Sequence, residues 1–346
     1  MTLAVGKRGI INRNPNEDGA AANRCFISAA LVALSNSDGF RFALEPLNNR
    51  NNRGQFFVEL KSILRKIDSM SSQSIDAKIL FTLVSTHYST KNSDGTLDSP
   101  FLRGQGDSEE FMTMLLDDIR AKNGHSEAAY ALTSFFVVSE SSSATALCDE
   151  RSPMEVTPEA VVRLTVPTTY KGMQLSARTV HWPTVRLDEM VRFACTDTIN
   201  VDTTNTISRD VVIWNRFVPS HTTLVLLLNR RSYGHQYTNQ FYNRTMVQLS
   251  VQLTVNDIDY RLKSLVLHHG ELTCGHYTSM VVRNGQITHV DDEKVYEGGR
   301  IENVLETKYV QSRVTSAVYE TIGACEPSDE YEQLKSMAKN VQGKNG

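Results

Sequence analysis

The chain has 346 residues, which allows one large domain or two of modest size. Lys plus Arg number 36 against 39 Asp plus Glu, a formal net charge of −3 that argues against a nucleic-acid partner, which would ask for a basic face. At 40% hydrophobic and 22% charged, the chain can bury a substantial core, and disorder over most of its length is excluded. The longest apolar runs, such as Leu224 to Leu228, fall far short of the roughly 20 residues of a membrane-spanning helix, and MTLAVGKRG lacks the pattern of a secretory leader. A location in the cytoplasm or nucleus, away from membranes, is expected. The cysteines Cys25, Cys148, Cys195, Cys274 and Cys325 include no CxxC pair, so free thiols in a reducing compartment are expected rather than a disulfide framework.

The first third reads as helical. CFISAALVAL mixes small and apolar residues as a buried helix does. Phe57, Leu60, Ile63, Leu64 and Ile67 recur at three- and four-residue steps, Ala77 to Val84 continues the style, and Asp107 to Arg120 carries a stripe of Phe111, Leu115 and Ile119 flanked by Met112 and Leu116. Beyond about residue 133 the pattern turns to short β-rich runs: SFFVVS, VVRLTV, VVIWNRFV, TTLVLLLNR, YRLKSLVLHH, YTSMVV and QITHV. Helices first and strands later predict an α+β architecture, with helices packed against an antiparallel sheet. The serine run Ser139 to Ser143 reads as a loop, and the polar stretch from Glu326 to Gly346 as a frayed tail, with a short helix around Tyr331 to Val341 as the alternative.

Three places carry chemistry. Cys25 sits where a Gly- and Asn-rich stretch meets helix formers, and a thiol at a helix N-terminus gains thiolate stability from the exposed amides and the macrodipole. A small buried core residue is the alternative for that position. The second place is the hairpin around Asn284-Gly285, the dipeptide of a two-residue type I′ turn. Such a turn pairs Arg283 with Gln286, Val281 with Thr288 and Thr278 with Asp291, which sets Asp291 diagonally across from His276 on one face and turns Asp292 to the other. A three-residue loop or a bulge would reverse that choice. The third is QGDSEEF, where Asp107 and Glu110 have the spacing of a reciprocal capping box and, with Gln105 beside them, form an acidic patch suited to a basic extended peptide. A Cys, a distant His and an Asp are the parts of a cysteine-protease triad: Cys25 as nucleophile, His276 as base and then acid, Asp291 holding the imidazole.

At these residues the sequence resembles the ubiquitin-specific protease family of deubiquitinases. GIIN and NRCFISAALVAL look like its Cys box, QGDSEEFMTMLLDDI resembles its Gln-x-Asp-x-x-Glu-Phe segment, VPSHTTLVLLLNR its Leu-Pro strand, and YRLKSLVLHHGELTCGHYTSMVV with VDDEKV its His box. The matches run in family order from residue 9 to about 320. The resemblance implies a papain-like fold of thumb (about 9–130) and fingers with palm (about 131–325) in a single domain, 1–325, followed by the tail, 326–346. It also implies hydrolysis of the isopeptide bond at the C-terminal glycine of ubiquitin, with ubiquitin and ubiquitinated proteins as partners, a regulatory protein partner, and no cofactor. The basic ubiquitin tail would meet Asp107 and Glu110, with Gln105 beside them, its two terminal glycines would pass a constriction lined by Gly275 and Tyr277, and His269 would belong to the substrate-binding residues.

Departures from the family pattern matter. The family's fingertip zinc uses two CxxC pairs, whereas Cys148 and Cys195 each stand alone, so no metal is expected and the two thiols read as remnants of a lost site. The family's oxyanion-stabilising Asn falls at Ala20; Asn12 is the nearest equivalent, across the extra stretch RNPNEDGA, and Asp292 is the other candidate for that role. Arg24 replaces the usual Ser or Thr beside the nucleophile. Losing one oxyanion donor costs roughly 2.7–4 kcal/mol of transition-state stabilisation, so a weakly active ubiquitin-binding scaffold, or a protease for a ubiquitin-like modifier, stands as the alternative.

Overall fold

The segment Cys25–Ser35 contains only two polar side chains, Ser28 and Ser35, and it forms a helix buried along its whole length. It belongs to a computed structural model that describes residues 2–11, 24–47, 54–69, 74–91, 97–99, 101, 106–141, 152–171, 173–176, 179–195, 198–201, 212–233, 240–272 and 274–342. Around this helix pack Asp38–Leu44, Gly54–Ser69, Lys78–His87 and Ser108–Asn123, whose predicted apolar stripe of Phe111, Leu115 and Ile119 is fully buried. The other side of the buried helix lies on a nine-stranded sheet.

That sheet runs in the order Thr2–Arg8, Lys294–Arg300, Gln286–Asp291, Gly275–Arg283, Ile258–Gly270, Val314–Thr321, Thr223–Asn229 and Val162–Thr165, with Gln252–Val255 paired to Ile258–Gly270. All neighbours are antiparallel except Val162–Thr165, which pairs parallel with Thr223–Asn229. The expected all-antiparallel sheet is therefore corrected at one edge. The roughly sixty residues between these two strands supply the long crossover that parallel pairing requires. Within that crossover lies the Leu187–Cys195 helix, and Val212–Val218 and Thr198–Val201 join Ser134–Ser141 and Ser152–Glu159 in a separate four-stranded sheet. The strand through Ser139 to Ser141 corrects the expected serine loop there; residues 142–150, and Cys148 with them, lie outside the described residues.

The buried helix has a fixed direction. Its C-terminal end is stitched to the sheet by Asn36, whose side-chain amide donates to the carbonyls of Lys263 (2.8 Å) and Val282 (3.0 Å), and by Ser264, whose hydroxyl donates to Ala33 (2.7 Å). Eleven helical residues span roughly 16 Å, and the strand from Val282 back to His276 spans roughly 20 Å. Fixing one end at Val282 thus carries Cys25 to the neighbourhood of His276.

Two expectations about the periphery change. The supposed tail contains a helix, Asp329–Gln342, that docks Tyr331, Leu334 and Ala338 against Tyr130, Phe135, Val137 and Val218, with the Tyr331 hydroxyl donating to the Thr133 carbonyl at 2.7 Å. Its stripe at three- and four-residue steps was diluted by Lys and Glu between. Cys195 closes the Leu187–Cys195 helix inside the core with Leu187 and Val191, and burial pushes its thiol up to about 12. In this fold it serves as a core side chain. No helix among the described residues is long and apolar enough to cross a membrane. Because Leu334 is buried in the docked helix, Leu334→Ala should lower stability in urea unfolding by about 2–5 kcal/mol. A change within about 0.5 kcal/mol, as at a surface site, would contradict the docking.

Candidate active site

Cys25 is the first residue of its helix. Arg24 at the cap provides no side-chain bond to the helix; its carbonyl accepts from Ile27 and Ser28, and its guanidinium donates to the Phe101 carbonyl. The first turn therefore presents its amides at the thiol end, as the sequence suggested. The thiol itself is only 3% exposed, so both descriptions of Cys25 hold: it is buried, and it opens a helix.

The hairpin has the expected register. Asn284 and Gly285 both have positive φ (52° and 73°), the signature of a type I′ turn, and Arg283 faces Gln286, Val281 faces Thr288 and Ser279 faces Val290. Alternation then brings His276 Nε2 to 2.6 Å from Asp291 Oδ1, while Asp292 Oδ2 stays 4.0 Å away. With Nε2 engaged, Nδ1 is the nitrogen left for the thiol. The hydrogen bond to Asp291, then that to Cys25, push His276 up to about 10 against the opposing effect of burial, and the same bond holds Asp291 below its ordinary value. An imidazolium is the favoured state at neutral pH. Among the described residues, His276, Asp291 and Asp292 are also the one group with metal-ligating spacing, their donor atoms within 4.8 Å of one another.

Behind this pair the imidazoles are neutral. The Thr278 hydroxyl lies between His269 Nε2 (3.0 Å) and His289 Nε2 (2.9 Å), and burial pushes His269 down to about 4 and His289 down as well. His269 is the cross-strand partner of His276 and shares its face behind the candidate triad, whereas Tyr277 lies on the other face. The neighbouring His268 occupies that other face. It is buried between Tyr242 and Tyr277, with ring centres 5.1 and 4.6 Å away, and burial pushes it down to about 4. A Cβ on Gly275 would fall 2.1 Å from His268 Nε2, which explains the glycine. Sequence reading missed His268, although alternation against the chosen Tyr277 points to it.

Tyr277 leads to the acidic patch. Its hydroxyl approaches Asp107 Oδ1 at 3.5 Å, and the same oxygen caps the Ser108–Asn123 helix by accepting from the Glu109 amide at 2.8 Å. Asp107 Oδ2 pairs with Arg231 at 2.5 Å. The expected reciprocal capping box is corrected, because helical phase turns Glu110 to solvent and brings Glu109 inward. Burial first, then the adjacent Asp107, holds the Glu109 carboxyl well above the usual carboxylate range. The acids that meet at this place are thus Asp107 and Glu109. Gln105 and Asn12 lie outside the described residues.

The family model "Ubiquitin carboxyl-terminal hydrolase" matches residues 19–317. The chain belongs to the ubiquitin carboxyl-terminal hydrolase family. Two solved structures share its fold: the SAGA DUB module Ubp8/Sgf11/Sus1/Sgf73 bound to monoubiquitin, at 17% identity and TM-score 0.64 over 94% of this chain and 72% of that one, and the same module bound to ubiquitin aldehyde, at 16% identity and TM-score 0.62 over 94% and 71%. No curated protein matches the sequence. The helical layer lies in the N-terminal third and most strands lie beyond residue 133, as the α+β pattern predicted, while Thr2–Arg8 adds an edge strand from the N-terminal end.

A titration followed by imidazole NMR from pH 3.5 to 10.5 should show His276 near the top of the range and His268 and His269 near pH 4, with Asp291→Asn bringing His276 down by more than a unit. The signs for stability follow. His276 is raised, so its contribution is complete below about pH 6.5 and fades as pH rises through about 10. His268 and His269 are lowered; the unfolded chain takes up protons that the folded one refuses, and thermal stability falls as pH drops from about 6.5 to 4. A His276 that titrates at 6.5 in both forms would contradict the assignment.

Proposed function

We propose that this chain is a thiol-dependent deubiquitinase that hydrolyses the isopeptide bond at the C-terminal glycine of ubiquitin, with Cys25, His276 and Asp291 as its triad. The observation that carries the reading is the 2.6 Å contact from Asp291 to an imidazole that is itself within hydrogen-bonding reach of a thiol at a helix N-terminus. In that arrangement Cys25 Sγ, as thiolate, attacks the glycine carbonyl carbon, and the carbonyl π electrons move onto oxygen. The tetrahedral intermediate collapses as His276 gives its proton to the lysine nitrogen, and the amine leaves. His276, now neutral, takes a proton from water as that water attacks the thioester, and Cys25 is released. Asp291 orients the ring and stabilises its protonated form throughout.

Backbone amides at the start of the Cys25–Ser35 helix are donors suited to the developing oxyanion on this reading. Asp292 is a carboxylate, so it serves that oxygen only through an intervening water; Asn12 stays a candidate from the resemblance alone. Asp107 takes the basic ubiquitin tail on this reading, with Tyr277, His268 and Gly275 shaping the approach. Both solved neighbours contain ubiquitin or ubiquitin aldehyde together with Sgf11, Sus1 and Sgf73, which supports ubiquitin as the ligand here and a regulatory partner as a further proposal. A cytoplasmic or nuclear setting fits the free thiols.

Ubiquitin carrying a C-terminal electrophile tests the reading. Wild type should form a covalent adduct and Cys25→Ala none. No adduct with wild type would leave a ubiquitin-binding scaffold, or a protease for a ubiquitin-like modifier if the matching modifier reagent reacts instead. An adduct that survives Cys25→Ala would remove Cys25 from the role of nucleophile.

A further inference from the structure

Asp107 has little capacity left for a substrate. Its Oδ1 accepts from the Glu109 amide and lies 3.5 Å from the Tyr277 hydroxyl, and its Oδ2 is taken by the Arg231 guanidinium at 2.5 Å. Glu109 beside it is held toward its neutral form by burial and by Asp107 itself, which weakens it as a second anion. One carboxylate charge therefore faces any cation that enters this place, and a residue of the same chain already occupies it.

Arg231 is delivered there by its neighbours. Arg230 is buried and donates to four backbone carbonyls, of Val314 (2.6 Å), Asn243 (2.9 Å), Thr245 (2.8 Å) and Gln311 (2.8 Å). The Arg231 amide donates to Asn229 Oδ1 at 2.9 Å, and Arg231 pairs in register with Tyr242, whose ring flanks His268. The backbone at 231 is thus fixed, yet the side chain is 57% exposed and has solvent to move into.

We propose that Arg231 is a built-in competitor for the cation of the substrate tail: its guanidinium rests on Asp107 and must swing away before a substrate arginine can seat there. The inference rests on the assignment of Asp107 to the basic ubiquitin tail made above. Binding becomes an exchange of one guanidinium–carboxylate pair for another, since the incoming and the resident groups share one chemistry and one geometry. An exposed ion pair contributes little, about 0.2–1 kcal/mol, so Arg231 grades affinity for the tail and does not close the site. It selects for tails whose arginine pairs with Asp107 better than Arg231 does.

Equilibrium binding of ubiquitin to the Cys25→Ala protein, read by fluorescence polarisation, separates this inference from the catalytic reading because it needs no turnover. Adding Arg231→Gln should tighten Kd about two- to five-fold, the range set by an exposed pair. Arg231→Lys, which keeps the cation, should stay closer to the parent. With ubiquitin whose tail arginines are replaced by alanine, the gain from Arg231→Gln should vanish. A Kd that is unchanged or weaker in Arg231→Gln, or a gain that persists with the arginine-free tail, overturns the competitor role while leaving a ubiquitin-binding hydrolase in place. No ubiquitin binding by any variant, with melting temperatures unchanged, overturns both.

Discussion

Two residues, Asn284 and Gly285, set the chemistry of a histidine eight positions away. A two-residue turn with both φ angles positive permits one register between Gly275–Arg283 and Gln286–Asp291, and that register places Asp291, not Asp292, within 2.6 Å of His276. One more residue in the turn would send the carboxylate to the opposite face. The protonated imidazole, and any thiolate beside it, follows from that count. The neutral histidines behind it follow as well, since His269 and His289 share the Thr278 hydroxyl and burial disfavours their protonation.

The proposed nucleophile is placed by a different constraint. A helix of small and apolar residues is buried completely, and its direction is fixed at its far end by Asn36 and Ser264, not at the thiol. Cys25 arrives at His276 because helix and strand have comparable lengths when anchored at Val282. The geometry of the proposed triad is thereby tied to the core. Beside it, Tyr277 links His268 to Asp107, and Arg231 lies across the carboxylate.

The sequence was legible where local rules operate. Asn-Gly between alternating runs gave the hairpin and its parity, and the apolar steps of Phe111, Leu115 and Ile119 gave the helix that follows Asp107. An error of one residue arose where a face depends on a partner, Glu109 turning inward instead of Glu110, and His268, packed on Tyr277, was not singled out. Larger gaps arose where partners are distant in sequence. Tyr331 docks on residues about two hundred positions earlier, and Arg231 meets Asp107 across 124. No window of local pattern contains such a pair, and the polar character of the last twenty residues concealed an apolar stripe that only Tyr130 and Phe135 make meaningful.

Turnover of a ubiquitin C-terminal amide by Asp291→Ala and by Asp292→Ala tests the account most directly, because the two carboxylates are adjacent in sequence and differ in face. Asp291→Ala should lower kcat on the order of 10³–10⁴-fold, as expected when the group that holds a catalytic imidazole is lost, and Asp292→Ala should retain far more. A silent Asp291→Ala together with an inactive Asp292→Ala would contradict the register from which the site has been built.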